Sequence, residues 1–140
     1  MEIRAATSEE RPWLLQRTGA AATSAFRAIV ALDDAGRVRG AIGFDSWTES
    51  GVQAHMAVDT PIAWRHLLGP AFAYPFKECD KSVISGCIAA SNLRSLQMAS
   101  HLGFEYVGRI QDGHAVGDDW VVIQMHRSRC RWLGRQGAIK

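Results

Sequence analysis

Proline is scarce in this 140-residue chain, with four residues spread as Pro12, Pro61, Pro70 and Pro75. No proline-rich linker can be built from them, so nothing in the composition divides the chain into separate units. Cysteine is scarcer still: Cys79, Cys87 and Cys130 are odd in number and show no C-x-x-C spacing. That excludes a disulfide framework and a cysteine-based zinc ribbon. The five histidines (His55, His66, His101, His114, His126) contain no H-E-x-x-H and do not cluster with cysteine, so no metal site is expected. No run approaches the ~18 consecutive apolar residues of a membrane span. Met1-Glu2-Ile3-Arg4 opens without the apolar stretch of a signal peptide. The expectation is a cytoplasmic protein with reduced thiols and no membrane contact.

What is present is ordinary for a globular domain, with 47% hydrophobic and 21% charged residues. A chain of this length buries roughly two thirds of its unfolded surface, enough for a core without metal or disulfide staples. Net charge is only +2, too little to imply a nucleic-acid partner. It is unevenly placed, because residues 126–140 carry five basic side chains (Arg127, Arg129, Arg131, Arg135, Lys140) and no acid. The tail alternates basic residues with Trp132, yet five charges give only weak, salt-sensitive attraction to nucleic acid. It is read instead as a terminal strand extension with a solvated basic edge. One domain over 1–133, followed by a basic tail at 134–140, is the expected organisation.

The periodicity sets an element order. Residues 2–6 form a first strand, and Thr7-Ser8 offers a cap for a helix through Trp13, Leu14 and Leu15 that ends near Gly19. Residues 20–25 are a second helix or a loop. Residues 26–32 and 38–44 are strands joined by the Asp33-Asp34-Ala35-Gly36 turn, and residues 52–58 follow as a third antiparallel strand. Thr60-Pro61 signals a helix start. Gly69-Pro70 and Pro75 predict that this helix is kinked or in two pieces. Residues 82–88 are a strand, and 92–102 a helix with Leu93, Leu96, Ala99 and Leu102 on one face and Gly103 at its end. Residues 104–110 and 120–125 complete the order. A strand–helix–strand crossover after an antiparallel meander makes the class α+β, with a mixed central sheet of about six to seven strands.

That order, together with residues 90–125, resembles the GNAT acetyltransferase superfamily. Ser91-Asn92-Leu93-Arg94-Ser95 followed by His101-Leu102-Gly103-Phe104 is similar to the family's N-x-x-S, short helix and x-L-G-F. The likeness is nearest to the ribosomal-protein N-terminal acetyltransferase branch and to small phage-encoded relatives. It implies helices on both faces of the sheet and an enzyme that binds acetyl-CoA as co-substrate and acetylates a primary amine of a protein or small molecule; a homodimer is one assembly it allows. It also implies a pantetheine arm laid along Met56, Ala57 and Val58, with a backbone N–H near Ala57 polarising the thioester. Asn92 would touch the arm, and Ser95 would protonate the departing thiolate as the catalytic acid.

The resemblance fails at one place. The family's phosphate loop, [QR]-x-x-G-x-[GA], aligns with Arg65-His66-Leu67-Leu68-Gly69-Pro70. Leu68 and Pro70 stand where small residues belong, which leaves Arg65, His66 and Gly69 to meet the phosphates. Ala99 also stands where many relatives carry a tyrosine. These departures motivate an alternative: a catalytically degenerate GNAT-fold protein that works by binding a protein partner. Candidates for a general base are Asp45, Glu49, His55 and Asp59. Acids near the acceptor side (Asp45, Glu49, Asp112, Asp118, Asp119) suggest a cationic acceptor.

Overall fold

The computed structural model describes residues 1–134. Asp33 Oδ1 accepts the Ala35 and Arg37 N–H groups, both at 3.0 Å, and this turn joins β2 (Arg27–Leu32) to β3 (Val38–Asp45). The apolar residues of both strands alternate between two buried faces. β1 (Glu2–Ala5) adds to the outer edge of β2, and β4 (Gly51–Val58) adds to β3, all antiparallel. A crossover through α2 (Pro61–Ala73) leads to β5 (Val83–Ala89), which pairs with β4 in parallel. α3 (Leu93–Leu102) then leads to β6 (Glu105–Ala115) and β7 (Asp118–His126), and β7 inserts between β5 and β6. The seven-stranded order is β1-β2-β3-β4-β5-β7-β6.

One face of this sheet buries Ile29, Ala31, Ile42, Phe44, Val52 and Ile84 beneath Leu67 and Phe72 of α2 and Leu102 of α3. The other carries α1 (Arg11–Thr18), where Leu14 and Phe26 cover Ala28, Val30 and Ala41. The mixed sheet is what the periodicity predicts, and helices on both faces are what the family resemblance implies. No helix among the described residues is long and apolar enough to cross a membrane.

Local details depart from expectation. Thr7 and Ser8 do not cap α1. The helix starts at Arg11, and Glu10 turns back instead, accepting the Thr7 N–H at 2.9 Å and pairing with Arg4 at 2.7 and 2.9 Å. Residues 20–25 are a loop. α2 is capped by Thr60, whose hydroxyl accepts the Ala63 N–H at 3.2 Å, and it runs through Gly69-Pro70 without a break. Burial of Leu67, Leu68, Ala71 and Phe72 outweighs the single hydrogen bond that Pro70 removes. The change of form comes later, as a π-helical turn at Tyr74–Glu78.

The tail is not a strand extension. After a 3-10 turn (Arg127–Arg129) the chain folds under the end of α3, where buried Trp132 donates its Nε1–H to Leu102 O at 2.9 Å. Arg131 donates to His101 O. Arg127 and Arg129 pair with Asp80 and Glu105 at 2.9 and 2.8 Å. The basic residues stay exposed, as a solvated edge would be, while pairing with an α3 carbonyl and with nearby acids. Arg135 and Lys140, with the rest of the proposed tail beyond Gly134, lie outside the described residues.

Candidate functional site

β4 and β5 pair at only three positions: Gly51 with Val83, Val52 with Ile84 and Gln53 with Ser85. Beyond them β4 stays with β3 as far as Val58, while β5 stays with β7 through Ala89. A wedge therefore opens between the two strands from Ala54 and Gly86 onward. A helix starts at each side of its mouth, α2 after β4 and α3 after β5.

The wedge wall has a definite polarity. Asp59 donates its N–H to Arg39 O at 2.8 Å, which makes Asp59 and Arg39 a hydrogen-bonded pair by the β3–β4 register. Antiparallel pairs alternate, so Ala57, His55 and Gln53 also direct their backbone groups toward β3. Ala54, Met56 and Val58 direct theirs into the wedge. The Ala54 carbonyl confirms the sense, since it lies 3.5 Å from where a Cβ on Gly86 would sit. The expected amide near Ala57 thus moves by one residue: Met56 and Val58 direct their N–H groups into the wedge, and Ala57 does not. Met56 and Val58 turn their side chains to the α2 face, and Ala57 packs with the α1 side.

The two helix starts differ. Pro61 has no N–H, the Ala63 N–H is taken by Thr60, and the Trp64 N–H reaches Thr60 O, leaving Ile62 as the donor of that turn without a partner among the described residues. Residues 65–70, aligned with a phosphate loop, lie inside α2 because the helix begins upstream at Pro61. Gly69 is buried in the core and cannot meet a ligand at the wedge. Arg65 and His66 are exposed on the second turn. At the other start, Asn92 Oδ1 caps α3 by accepting the Ser95 N–H at 3.2 Å. Its amide NH2 and the Ser95 hydroxyl have no partner among the described residues. Met56 and Val58 thus lie on the β4 wall of the wedge, Asn92 and Ser95 at the helix start that follows β5, and Arg65 and His66 on α2.

The acids behave less simply than their charge suggests. Asp112 accepts the Gly117 N–H at 2.8 Å. Asp119 accepts from Asp112 N and Arg109. Asp118 holds Ser91 and His114. Three of the five acids expected to attract a cationic acceptor thus hold hydrogen bonds at the β6–β7 hairpin. Asp59 faces Arg17 of α1 at 3.7 Å, and Asp45 faces His55. Burial pushes the Cys87 thiol up, which keeps it protonated and a poor nucleophile. Sequence reasoning missed the Ser91–Asp118 contact, because its partners are 27 residues apart and only the β5–β7 register joins them.

No family model matches the chain, and a search of curated proteins finds no match. Solved structures do match. A single-residue variant of spermidine N-acetyltransferase SpeG from Vibrio cholerae superposes with a TM-score of 0.78 at 13% identity, covering 96% of this chain and 99% of that one. A spermidine/spermine N-acetyltransferase SpeG structure from the same organism gives 0.73 at 13% identity, covering 90% and 92%. A chimera of that enzyme with hSSAT gives 0.74 at 12% identity, covering 91% and 98%. At these identities the likeness concerns the backbone, and the fold of this chain is the GNAT fold.

Proposed function

We propose that this protein is an acetyl-CoA-dependent N-acetyltransferase acting on a primary amine. The observation that carries the proposal is the wedge, whose β4 wall turns the amides of Met56 and Val58 toward an unfilled strand position. An extended pantetheine arm can pair there as an added strand would. A thioester carbonyl next to those amides gains polarisation from fixed N–H dipoles that need no reorganisation. Asn92 supplies its amide NH2 to the arm, and Ser95 supplies a hydroxyl for the departing thiolate. The protein's main contribution is to hold amine and thioester in contact.

The fit is uneven. The arm has a backbone partner, whereas the phosphates find one free amide at α2 and must rely on Arg65 and His66. The motifs around Asn92 and Leu102-Gly103-Phe104 favour kinship with ribosomal-protein N-terminal acetyltransferases and small phage-encoded relatives. Three free thiols suit a cytoplasmic setting. The polyamine acceptors of the solved neighbours make spermidine a sensible first probe.

Calorimetric titration with acetyl-CoA tests the proposal, with binding at micromolar concentration as the expected result. No heat at millimolar concentration would overturn it. The scarcity of amide donors at α2 favours a second reading in that event, a degenerate GNAT-fold protein that binds a partner protein. Its signature is partner capture that survives Asn92→Ala and Ser95→Ala together.

A further inference from the structure

We propose that His55 is the general base of this transfer and that Asp45 is its positioning residue, an inference that rests on the acetyl-transfer reading. His55 stands two positions past the last β4–β5 pair, Gln53 with Ser85, so it sits beside the opening of the wedge. Its side chain projects on the α1 face, because its neighbour Ala57 packs on that side and Met56 on the other. The opposite face is closed by α2 and α3. On the α1 face no buried cluster forms over β5 and β7, and Ser85, Cys87, Val122 and Gln124 stay half-buried. An amine therefore has its open approach on the side where His55 lies.

The register explains why Asp45 reaches His55. The residue directly opposite His55 on β3 is Gly43, which has no side chain to intervene. Asp45 is two residues along on the same face, the diagonal neighbour of His55. His55 Nε2 and Asp45 Oδ1 are 3.0 Å apart, with side chains 23% and 15% exposed. A carboxylate only accepts, so this contact places the proton on Nε2 and leaves Nδ1 as a lone-pair acceptor. Nδ1 has no hydrogen bond among the described residues. His114 differs in each respect: it is 47% exposed, and its carboxylate partner Asp118 is shared with Ser91.

The other ionisable groups on elements of this face do not displace Asp45. Arg17 of α1 lies against Asp59, Arg11 of α1 carries no ion pair among the described residues, and the Cys87 thiol on β5 stays protonated.

The chemistry balances as follows. An ammonium gives one proton to His55 Nδ1, and the neutral amine forms an N–C bond to the thioester carbonyl carbon. The C–S bond breaks, and the second nitrogen proton ends on the thiolate sulfur through the Ser95 hydroxyl. His55 then returns its proton to solvent. No oxidant or reductant is needed.

The test is acetyl transfer from acetyl-CoA to spermidine and to n-butylamine, followed by release of the CoA thiol across roughly pH 5.5 to 9. His55→Gln is expected to lower kcat by about 100-fold or more near neutrality and to abolish the acidic limb of the pH profile. Acetyl-CoA affinity, measured by calorimetry, stays at the wild-type value and reports an intact wedge. Asp45→Asn, nearly isosteric, is expected to lower kcat by about tenfold with KM for spermidine unchanged. It also stands in if His55→Gln does not fold. A pair with a merely structural role would change the melting temperature and leave the pH profile alone, and that result overturns the assignment. So does a wild-type rate in either variant while acetyl-CoA still binds, and the transfer reading then survives. A wild-type protein that acetylates neither amine overturns both.

Discussion

Asp118 grips Ser91 twice, its Oδ1 accepting the Ser91 N–H at 3.0 Å and its Oδ2 accepting the Ser91 hydroxyl at 2.6 Å. The Ala90 N–H donates to Asp119 O at 2.8 Å beside it, and His114 Nδ1 reaches the same carboxylate at 3.0 Å. The β6–β7 hairpin thus holds the two residues that precede Asn92, and through them the start of α3. The Ser91 hydroxyl, then its N–H and the His114 ring, keep the Asp118 carboxyl below the usual carboxylate range. A group whose folded value is depressed holds its partners at neutral pH and releases them as pH falls through that value. We expect Asp118→Ala to weaken acetyl-CoA binding by roughly three- to tenfold through a loosened Asn92. Amide exchange should rise first at Ser91 and Ser95, the amides that Asp118 and Asn92 hold. Unchanged exchange there would remove the hairpin from the site's support.

Glu10 gives the clearest pH dependence of stability. Its bidentate contact with Arg4, and then the Thr7 N–H, hold its carboxyl at about 2 against the burial that opposes them. The ordinary value is 4.5. The stabilisation is therefore complete above the ordinary value and is lost as pH falls from there through about 2. Glu10→Gln should cost about 1–2 kcal/mol near neutrality, since the contact joins a charged pair at the surface. Urea titrations at several pH values should show wild type and variant converging toward pH 2. A gap that persists there would point to packing rather than charge.

Gly43 is where two side chains use the space of a missing one. A Cβ at this position would meet Phe26 Cζ at 2.3 Å and Leu14 Cδ2 at 2.8 Å. Both rings of contact belong to the core beneath α1, where neither Phe26 nor Leu14 has room to retreat. Gly43→Ala should destabilise the fold by about 1–3 kcal/mol through overpacking, read as a shift in the denaturation midpoint at constant slope. Leu14→Ala should partly rescue it, because the two changes share one cavity.

The meander and the α3 unit were legible because their signals are local. The Asp33–Gly36 turn, the Thr60-Pro61 start and Gly103 at φ +103° each act within a few residues. Residues 65–70 misled for the opposite reason. A family spacing placed a loop there, while Thr60 and Pro61 had already started a helix whose apolar face keeps Leu67 to Phe72 in the core. The amide direction at Ala57 needed the β3–β4 register, which a sequence supplies only through the length of the intervening turn. Asp45 and His55 were both visible as candidates, but their partnership follows from the same register.

Trp132 tests the docking of the chain's end. It is 7% exposed and joins the main core beside Leu102 and Met125, with its indole N–H on Leu102 O. Arg131 stacks its guanidinium 4.5 Å from the ring centre. Trp132→Ala should cost about 3–5 kcal/mol, and Trp132→Phe less, since the ring volume largely stays and one hydrogen bond is lost. Thermal denaturation of the two variants separates volume from polarity. Equal losses would mean that the indole N–H, not the ring, holds the segment.

Arg65 decides whether the phosphate end of a CoA ligand is held here at all. The first turn of α2 offers little: Pro61 has no N–H, Thr60 occupies that of Ala63, and among the described residues only the Ile62 N–H is left without a partner. A glycine-rich helix start would supply several amides, so here the charge must come from side chains on the exposed second turn. Arg65 is exposed and makes no ion pair among the described residues, and it projects from the element that borders the wedge. A charge-assisted contact of this kind is worth roughly 1.5–3 kcal/mol, about one to two decades in affinity. Arg65→Ala should therefore weaken acetyl-CoA binding at least about tenfold, with the melting temperature unchanged. The salt dependence of binding should flatten in the variant, because an open helix face is screened by added ions. Arg37→Ala removes the same charge from the distant β2–β3 turn and should leave the affinity as it was. Equal affinity in Arg65→Ala and wild type, with binding otherwise intact, would move the phosphates away from α2 and leave Ile62 and the α3 start as the anion site.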